Sequence, residues 1–367
     1  MRSCKIINGN IFRPDNEFHK GDLSITDGLI VEDNTPDEII DAENLYVIPS
    51  LSDIHFHGCK GYDFCDATQE AFRAIKAYES SVGVRTLCPA TMTLPEERLL
   101  VIMSEAKNFG EFAGIYLEGP FISRQKIGAQ NPEYVHDPDI EMFKKLQDKS
   151  GGLIKIAAIA PELEGSFEFI ESAKNLTKLS LAHTACNYET ASKAFAAGLS
   201  QVTHLFNAMS PINHREPGPI IAALENKSIN VELICDGFHV HPSVVRETIK
   251  SFGSDRVIFV SDSTEATGLQ DGRYSLGGID IIKNGSKATL LDGVTLAGSA
   301  TNLFDCMKFS VLKMGVRLET AVKCSSINPA KILGLDKSIR PGNKADVILL
   351  DKRINLLHEA DPYCSES

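Results

Sequence analysis

The sequence predicts a (β/α)8 barrel of the TIM type, extended by a small β-sandwich domain built from both chain ends. Three observations carry that expectation. After Pro49, eight apolar strand-like runs alternate with amphipathic helical stretches. The first fifty residues hold short, closely spaced β-like runs instead, and one more such run comes near the end. Finally, six ionisable residues fall at the ends of the expected barrel strands, on the face where such barrels carry their active sites.

In chain order, β-like runs at 5–12, 22–26 and 28–32, separated by turn residues, make residues 1–48 the N-terminal part of the small domain. Residues 49–335 are expected to form the barrel. Its strands are expected at 53–57, 84–90, 114–118, 153–159, 179–183, 201–205, 230–234 and 256–262. Helices are expected between them at 69–80, 95–107, 139–146, 167–174, 189–197, 219–225 and 242–251. An open doubly wound sheet is the alternative, but no Gly-rich phosphate loop follows the first strand to favour it. Beyond the last strand, residues 268–298 are glycine-rich and β-like, and helices are expected over 302–314 and 318–333. A strand at 345–350 follows the turn Pro341-Gly342-Asn343. Paired with the N-terminal strands, it makes 336–367 the C-terminal part of the small domain. No short-period repeat suggests a solenoid.

The 367 residues accommodate a barrel of about 250 residues plus a small domain. No run reaches the roughly 18 unbroken apolar residues of a membrane span. Met1-Arg2-Ser3-Cys4-Lys5 opens no apolar signal segment, so a cytoplasmic protein is expected. Nine dispersed cysteines without a CxxC pair read as reduced thiols, not as a disulfide framework or zinc ribbon. The net charge of −12 argues against nucleic-acid binding and means that an anionic substrate needs a local cationic pocket.

The candidate site is formed by His55 and His57 on strand one, Glu118 on strand three, His183 on strand five, His204 on strand six and Asp262 on strand eight. A lone His in an apolar strand is more often a hydrogen-bonded core residue than a ligand. His55 and His57 differ, because residues i and i+2 of a strand share a face, and a metal binds two neutral imidazoles that would otherwise repel. An Asp after an apolar run is commonly a turn or capping residue. Facing a metal site, Asp262 reads better as a general base that takes a proton from an activated water and returns it to the leaving nitrogen.

Pro49-Ser50-Leu51-Ser52-Asp53-Ile54-His55-Phe56-His57-Gly58 resembles the opening strand of the amidohydrolase superfamily. Leu117-Glu118-Gly119-Pro120-Phe121, Thr203-His204-Leu205-Phe206-Asn207-Ala208-Met209 and Arg215-Glu216-Pro217-Gly218 narrow the resemblance. With Asp236-Gly237-Phe238-His239-Val240-His241-Pro242 and Leu296-Ala297-Gly298-Ser299, they are similar to the N-acetylglucosamine-6-phosphate deacetylase family, in the same order over nearly the whole chain. The resemblance implies that Glu118, His183 and His204 are the main metal ligands. His55 and His57 match the pair of members that hold a second ion, with Glu118 as the bridge. One or two divalent transition metals per chain are therefore expected: zinc, with iron or manganese as alternatives.

The same resemblance makes Asp262 the catalytic acid/base and Asn207, Ala208, His239, Leu296, Ala297 and Gly298 substrate contacts. Ala129 and Gln130 belong to a substrate-holding segment in which the family usually carries His where Gln130 stands. Arg215, with His214 beside it, matches a phosphate-binding Arg that reaches in from a neighbouring subunit, so a homodimer is expected. Without the resemblance, Arg215 reads equally as a solvated loop residue paired with Glu216. Gln130, the run Ser263-Thr264-Glu265 and Cys235 depart from the family pattern and bear on the sugar more than on the chemistry.

The expected reaction is hydrolysis of the acetamido group of N-acetyl-D-glucosamine 6-phosphate to D-glucosamine 6-phosphate and acetate, in amino-sugar catabolism. Alternatives are the galactosamine epimer, or a cyclic-amide hydrolase or deaminase of the superfamily, against which the Arg215 loop speaks. A catalytically inactive barrel serving as a binding or scaffold protein is the alternative from another class, and the intact ligand set argues against it.

Overall fold

The computed structural model describes residues 3–357. Cys364 and the last part of the expected C-terminal segment, 358–367, lie outside the described residues.

The barrel is present. Six strands run parallel and neighbour one another in chain order: Ile115–Leu117, Ile154–Ile159, Lys178–Leu181, Gln201–Val202, Asn230–Ile234 and Val257–Val260. Leu51–Asp53 pairs in parallel with Val84–Leu87, and a bridge from Ala90 to Tyr116 joins that pair to the rest. The ring closes where Asp262 N–H donates to His55 O (2.9 Å) and His57 N–H to Ser263 O (2.7 Å). Inside lies a cluster that includes Ile54, Cys88, Tyr116, Ile156, Ala182, Ile258 and Val260, so the barrel is packed and not a pore.

Outside, helices bury one stripe each against the strands. Gln69–Ser81 is typical: Thr68 caps it through a bond from Ala71 N–H, and Ala71, Phe72, Ile75 and Glu79 make its inward face. Pro242–Phe252 begins with Pro242 in its first turn, where the missing N–H is harmless, and buries Val245, Thr248 and Phe252. The single helix expected over 318–333 is instead three joined segments, Leu318–Val322, a π-helical turn at Lys323–Ile327, and Asn328–Ile332. Pro329 lacks the N–H that would continue the ladder. Asn328 spends its side-chain amide on Ser254 O and Val257 O, both at 2.7 Å.

The small domain draws on both ends of the chain. Ser3–Phe12, Phe18–Thr26, Leu29–Val31, Glu38–Asp41, Tyr46–Pro49 and Val347–Leu350 form one six-stranded sheet. It curls on itself: Ile30 N–H donates to Asn343 O, and Ala345 N–H to Gly28 O. The layers of the expected sandwich are thus continuous, wrapped around Ile6, Ile11, Leu23, Ile25, Val47, Val347 and Leu349. Glu38–Asp41 and Tyr46–Pro49 were not expected. They are four residues each, and the parallel partner of both is the first strand of the chain. A polar seam joins sheet and barrel: Ser50 N–H donates to Asp346 O at 2.9 Å, and Lys337 Nζ reaches Asp346 Oδ2 at 2.9 Å.

After the last barrel strand, Gly272–Leu276, Ile279–Asn284 and Lys287–Leu290 form an antiparallel flap of three strands. Its first strand ends at Leu276, which lines the cavity described below.

Candidate metal centre and active site

Several ladders stop short of the expected strands, and the site residues stand just beyond them. Lys178–Leu181 ends before His183, Gln201–Val202 before His204 and Val257–Val260 before Asp262. Each of these three residues has a left-handed backbone, with φ of 43°, 27° and 50°. That conformation is costly for a residue with a Cβ and gathers where surrounding structure enforces it, commonly at functional sites. Here it ends strand pairing and leaves three side chains at the rim of the barrel.

Glu118 stands between two groups of nitrogens. His183 Nε2 and His204 Nε2 lie 3.2 and 3.1 Å from Glu118 Oε1, and 3.2 Å from each other. His55 Nε2 is 3.4 Å from the same oxygen. His57 Nε2 is 3.3 Å from Glu118 Oε2 and 3.2 Å from Asp262 Oδ1. Glu118, His183 and His204 form one group with metal-ligand geometry, and His55, His57 and Asp262 form a second. All six side chains are buried.

The outer nitrogens test whether these groups fit a cation. His183 Nδ1 donates to Lys126 O at 2.8 Å, and His55 Nδ1 to Glu232 Oε2 at 2.9 Å. In the neutral rings both Nε2 atoms then carry lone pairs, and both face a carboxylate oxygen. His55 Nε2 has no hydrogen-bond partner. Lone pairs converging on carboxylate oxygens in a buried site repel unless a positive charge sits among them. The carboxylates draw positive charge to the centre, as protons on the rings where not as a metal: against burial, Glu118 and Glu232 hold His55 well above its ordinary value. Burial opposes charge on His57, yet Asp262 and Glu118 outweigh it and hold the imidazole at about 10. Burial likewise raises Glu118, but His55, His183 and His204 outweigh it and hold the carboxyl well below the usual range. The donor set fits one or two divalent ions.

Two glycines leave room for this arrangement. Gly119 follows Glu118 with φ 78°, and a Cβ there would lie 2.1 Å from Thr93 Oγ1. Gly298 has φ 52°, and its Cβ would lie 2.9 Å from Asp262 O. Neither position admits a side chain without displacing a neighbour.

A cavity of about 270 Å³ opens over the group. His57, Glu118, His183, His204 and Asp262 form its floor, and Ala129, Gln130, Asn207, Ala208, His239, Leu296 and Gly298 line it as well. Ala297 is buried behind that wall, and His55 lies beneath the floor, wholly buried. His214 and Arg215 do not reach the cavity. They sit on an exposed loop, where Arg215 N–H donates to Asn213 Oδ1 at 3.0 Å.

Gln130 is committed to the centre itself. Its Oε1 accepts from Thr93 N–H at 2.7 Å, and its Nε2 donates to Glu118 Oε2 at 2.9 Å. His239 donates from Nδ1 to Asp236 Oδ2 at 2.7 Å. Burial lowers the basicity of His239, but Asp236 more than restores it.

The sequence model of the amidohydrolase family matches residues 46–365. The chain belongs to the amidohydrolase family. Among curated relatives of this amidohydrolase, the N-acetylglucosamine-6-phosphate deacetylase of Bacillus subtilis (strain 168) is 35% identical over 358 residues, covering 92% of this chain and 90% of its own. The N-acetylgalactosamine-6-phosphate deacetylase of Escherichia coli O157:H7 is 31% identical, covering 91% of each. A mutant N-acetyl-D-glucosamine-6-phosphate deacetylase of Mycobacterium smegmatis, solved in complex with N-acetyl-D-glucosamine-6-phosphate, superposes with a TM-score of 0.92 at 30% identity and covers 97% of each chain.

Sequence reasoning missed four lining residues of this amidohydrolase, Met92, Gly128, Leu276 and Thr295, and a buried acid behind the ligands, Glu232. Glu232 Oε2 accepts from both His55 Nδ1 and His204 N–H (2.9 and 3.1 Å), while Oε1 accepts from Gln201 Nε2. One carboxylate thus orients a ligand from each group. The available signal was a single charge inside the apolar run Asn230-Val231-Glu232-Leu233-Ile234. No helix among the described residues is long and apolar enough to cross a membrane.

Proposed function

We infer that this amidohydrolase is an N-acetylglucosamine-6-phosphate deacetylase, hydrolysing the acetamido group of N-acetyl-D-glucosamine 6-phosphate to D-glucosamine 6-phosphate and acetate. The observation that carries the reading is Glu118, shared between two buried imidazole groups, with Asp262 beside it on the floor of a cavity sized for a small molecule. Relatives of that name, aligned over nearly the whole chain, supply the substrate class.

Glu118, His183 and His204 would hold one divalent ion, with His55 and His57 available for a second and zinc as the expected metal. When bound, such an ion polarises an amide carbonyl and makes a nearby water more acidic. Asp262, 3.2 Å from His57 Nε2, accepts the proton of the attacking water and delivers it to the leaving amine nitrogen. The C–O bond of acetate forms first, and the C–N bond breaks as the nitrogen takes that proton. Burial raises the Asp262 carboxyl, but His57 and His55 outweigh it and keep it below its ordinary value, ready to accept a proton. Gln130 steadies Glu118, and His239, backed by Asp236, is placed to donate to the substrate. Asn207, Ala208, Leu296 and Gly298 line the sugar's side of the cavity, with Ala297 supporting them.

Arg215 and His214, exposed on a loop away from their own cavity, suit a homodimer in which each chain supplies its partner's phosphate contact. The buried, unpaired thiols of Cys59, Cys65, Cys88, Cys186, Cys235, Cys306 and Cys324 suit a reducing, cytoplasmic setting.

A panel assay of amine release tests the reading. N-Acetylglucosamine 6-phosphate is expected to turn over fastest, its galactosamine epimer more slowly, and unphosphorylated N-acetylglucosamine barely. Faster release from the epimer would favour the activity named for the Escherichia coli relative. No release from any N-acetyl sugar phosphate by metal-replete protein would overturn the proposal. Glu118→Gln should lower bound metal, measured by elemental analysis, together with turnover.

A further inference from the structure

The cavity has two unlike ends. Toward its mouth lie Asn207, Ala208, Thr295 and Leu296, all partly exposed and half of them polar. At its closed end lie Met92 and Leu276, each only 2% exposed and both part of the main apolar core. They are the fully buried large apolar side chains of the lining.

That closed end adjoins the reacting centre. Phe64 N–H donates to His57 O at 2.7 Å, and the next residue, Cys65, accepts from Met92 N–H on Sγ at 3.3 Å. The residue after Met92 is Thr93, whose N–H holds Gln130 and, through it, Glu118 Oε2. Met92 is therefore fixed on the His57 and Glu118 Oε2 side of the centre.

Leu276 is brought against it by the flap. A Cβ on Gly277 would lie 2.6 Å from Met92 Cγ, so the flap's turn rests directly on the Met92 side chain. Asp63 Oδ2 accepts from Gly277 N–H at 3.2 Å and its Oδ1 from Cys65 N–H at 2.7 Å, tying flap and barrel loop together. The wall has backbone anchors on both sides, so it cannot swell freely to admit a larger group.

An N-acyl sugar phosphate has hydroxyls and a phosphate at one end and an alkyl group at the other, joined through the amide, with the sugar on nitrogen and the alkyl group on the carbonyl carbon. The polar end needs the donors and open space of the mouth. The alkyl group gains only where it leaves water for an apolar surface. We propose that Met92 and Leu276 form the acyl-binding wall and set the limit on acyl length, holding the substrate class to N-acetyl and excluding longer N-acyl groups. This assignment rests on the deacetylase reading above and names its specificity determinants.

The test measures kcat/KM for N-acetyl-, N-propionyl- and N-butyrylglucosamine 6-phosphate by amine release. The wild-type chain should lose about 10- to 200-fold for a methylene that does not fit. Met92→Ala and Leu276→Ala should each raise the butyryl-to-acetyl ratio by about tenfold or more, whatever happens to the absolute rates. The ratio compares substrates within one folded variant, so a general loss of activity does not move it. Met92→Val and Leu276→Val, which remove less volume, serve if either alanine variant fails to fold, and should shift the ratio in the same direction. A ratio unchanged in variants at both positions, with N-acetyl turnover still measurable, overturns the assignment and leaves the deacetylase reading standing. Absence of amine release from every N-acyl sugar phosphate overturns the deacetylase reading instead.

Discussion

Asp262 and Glu232 are both buried carboxylates in contact with imidazoles or their backbone, yet they face opposite ways and should fail differently. Asp262 lines the cavity, so Asp262→Asn keeps its shape and removes its basicity. Turnover should fall by about 100- to 10,000-fold with substrate binding retained. Lost affinity with intact turnover, seen in steady-state kinetics, would make Asp262 a binding residue. Glu232 lies away from the cavity and orients His55 and the His204 backbone. Glu232→Gln should weaken metal retention by about 10- to 100-fold, read by competition with a chelator, since partners of ligands commonly have effects of that size. Unchanged metal affinity would reduce Glu232 to a packing residue. The difference between the two acids also explains what the sequence made legible. His55, His57, Glu118, His183, His204 and Asp262 stand at strand ends, where position alone signals function. Glu232 lies within an apolar strand, and its role depends on which neighbour the barrel brings to it. Arg215 and His214 belong to neither case, because their expected role rests on family resemblance and needs a second subunit.

Among the elements, the helix Gln69–Ser81 carries an unusual burden. Glu79 is on its buried face, wholly inaccessible, and neither carboxyl oxygen has a hydrogen-bond partner. Burial, reinforced by Asp53, pushes its carboxyl well above the ordinary value, so the folded protein keeps it protonated. The unfolded chain releases that proton near pH 4.3 or so, the ordinary value for Glu. Above that point the unfolded state binds fewer protons than the folded one, and stability falls as pH rises toward the folded value. Glu79→Gln cannot ionise and removes this slope. Its melting temperature relative to wild type should climb between pH 5 and pH 8, whatever the offset at pH 5. An offset independent of pH would mean that Glu79 does not titrate in this range. The helix itself was legible from its period, since Thr68 and the Ala71, Phe72, Ile75 stripe are local features. Strand lengths were less so. Nothing local distinguishes a paired residue from one that leaves the ladder with a left-handed φ, as His183, His204 and Asp262 do. Glu38–Asp41 and Tyr46–Pro49 were missed because their definition comes from pairing with the first strand of the chain.

At the scale of the whole molecule, the loop following His204 decides whether one chain suffices. Ile212, Asn213, His214, Arg215 and Glu216 are all exposed, and among the described residues no guanidinium of the same chain lines the cavity. A charge-assisted contact from Arg to phosphate is about twice as strong as a neutral hydrogen bond. Arg215→Ala should therefore raise KM for the 6-phosphate sharply and leave any weak turnover of unphosphorylated N-acetylglucosamine nearly unchanged. Mixing tests whether that arginine crosses between subunits. Arg215→Ala chains keep Asp262, and Asp262→Asn chains keep Arg215. In a mixed dimer, the Arg215→Ala chain's site would combine its own Asp262 with Arg215 supplied by the other chain. Activity at limiting substrate should then return to well above that of either variant alone. The other site of the same dimer would lack both groups, so recovery cannot exceed that of one intact site per dimer. If mass measurement shows mixed dimers and activity stays at the level of the separate variants, Arg215 acts within its own chain or not at all. The cavity would then need another source of positive charge for the phosphate.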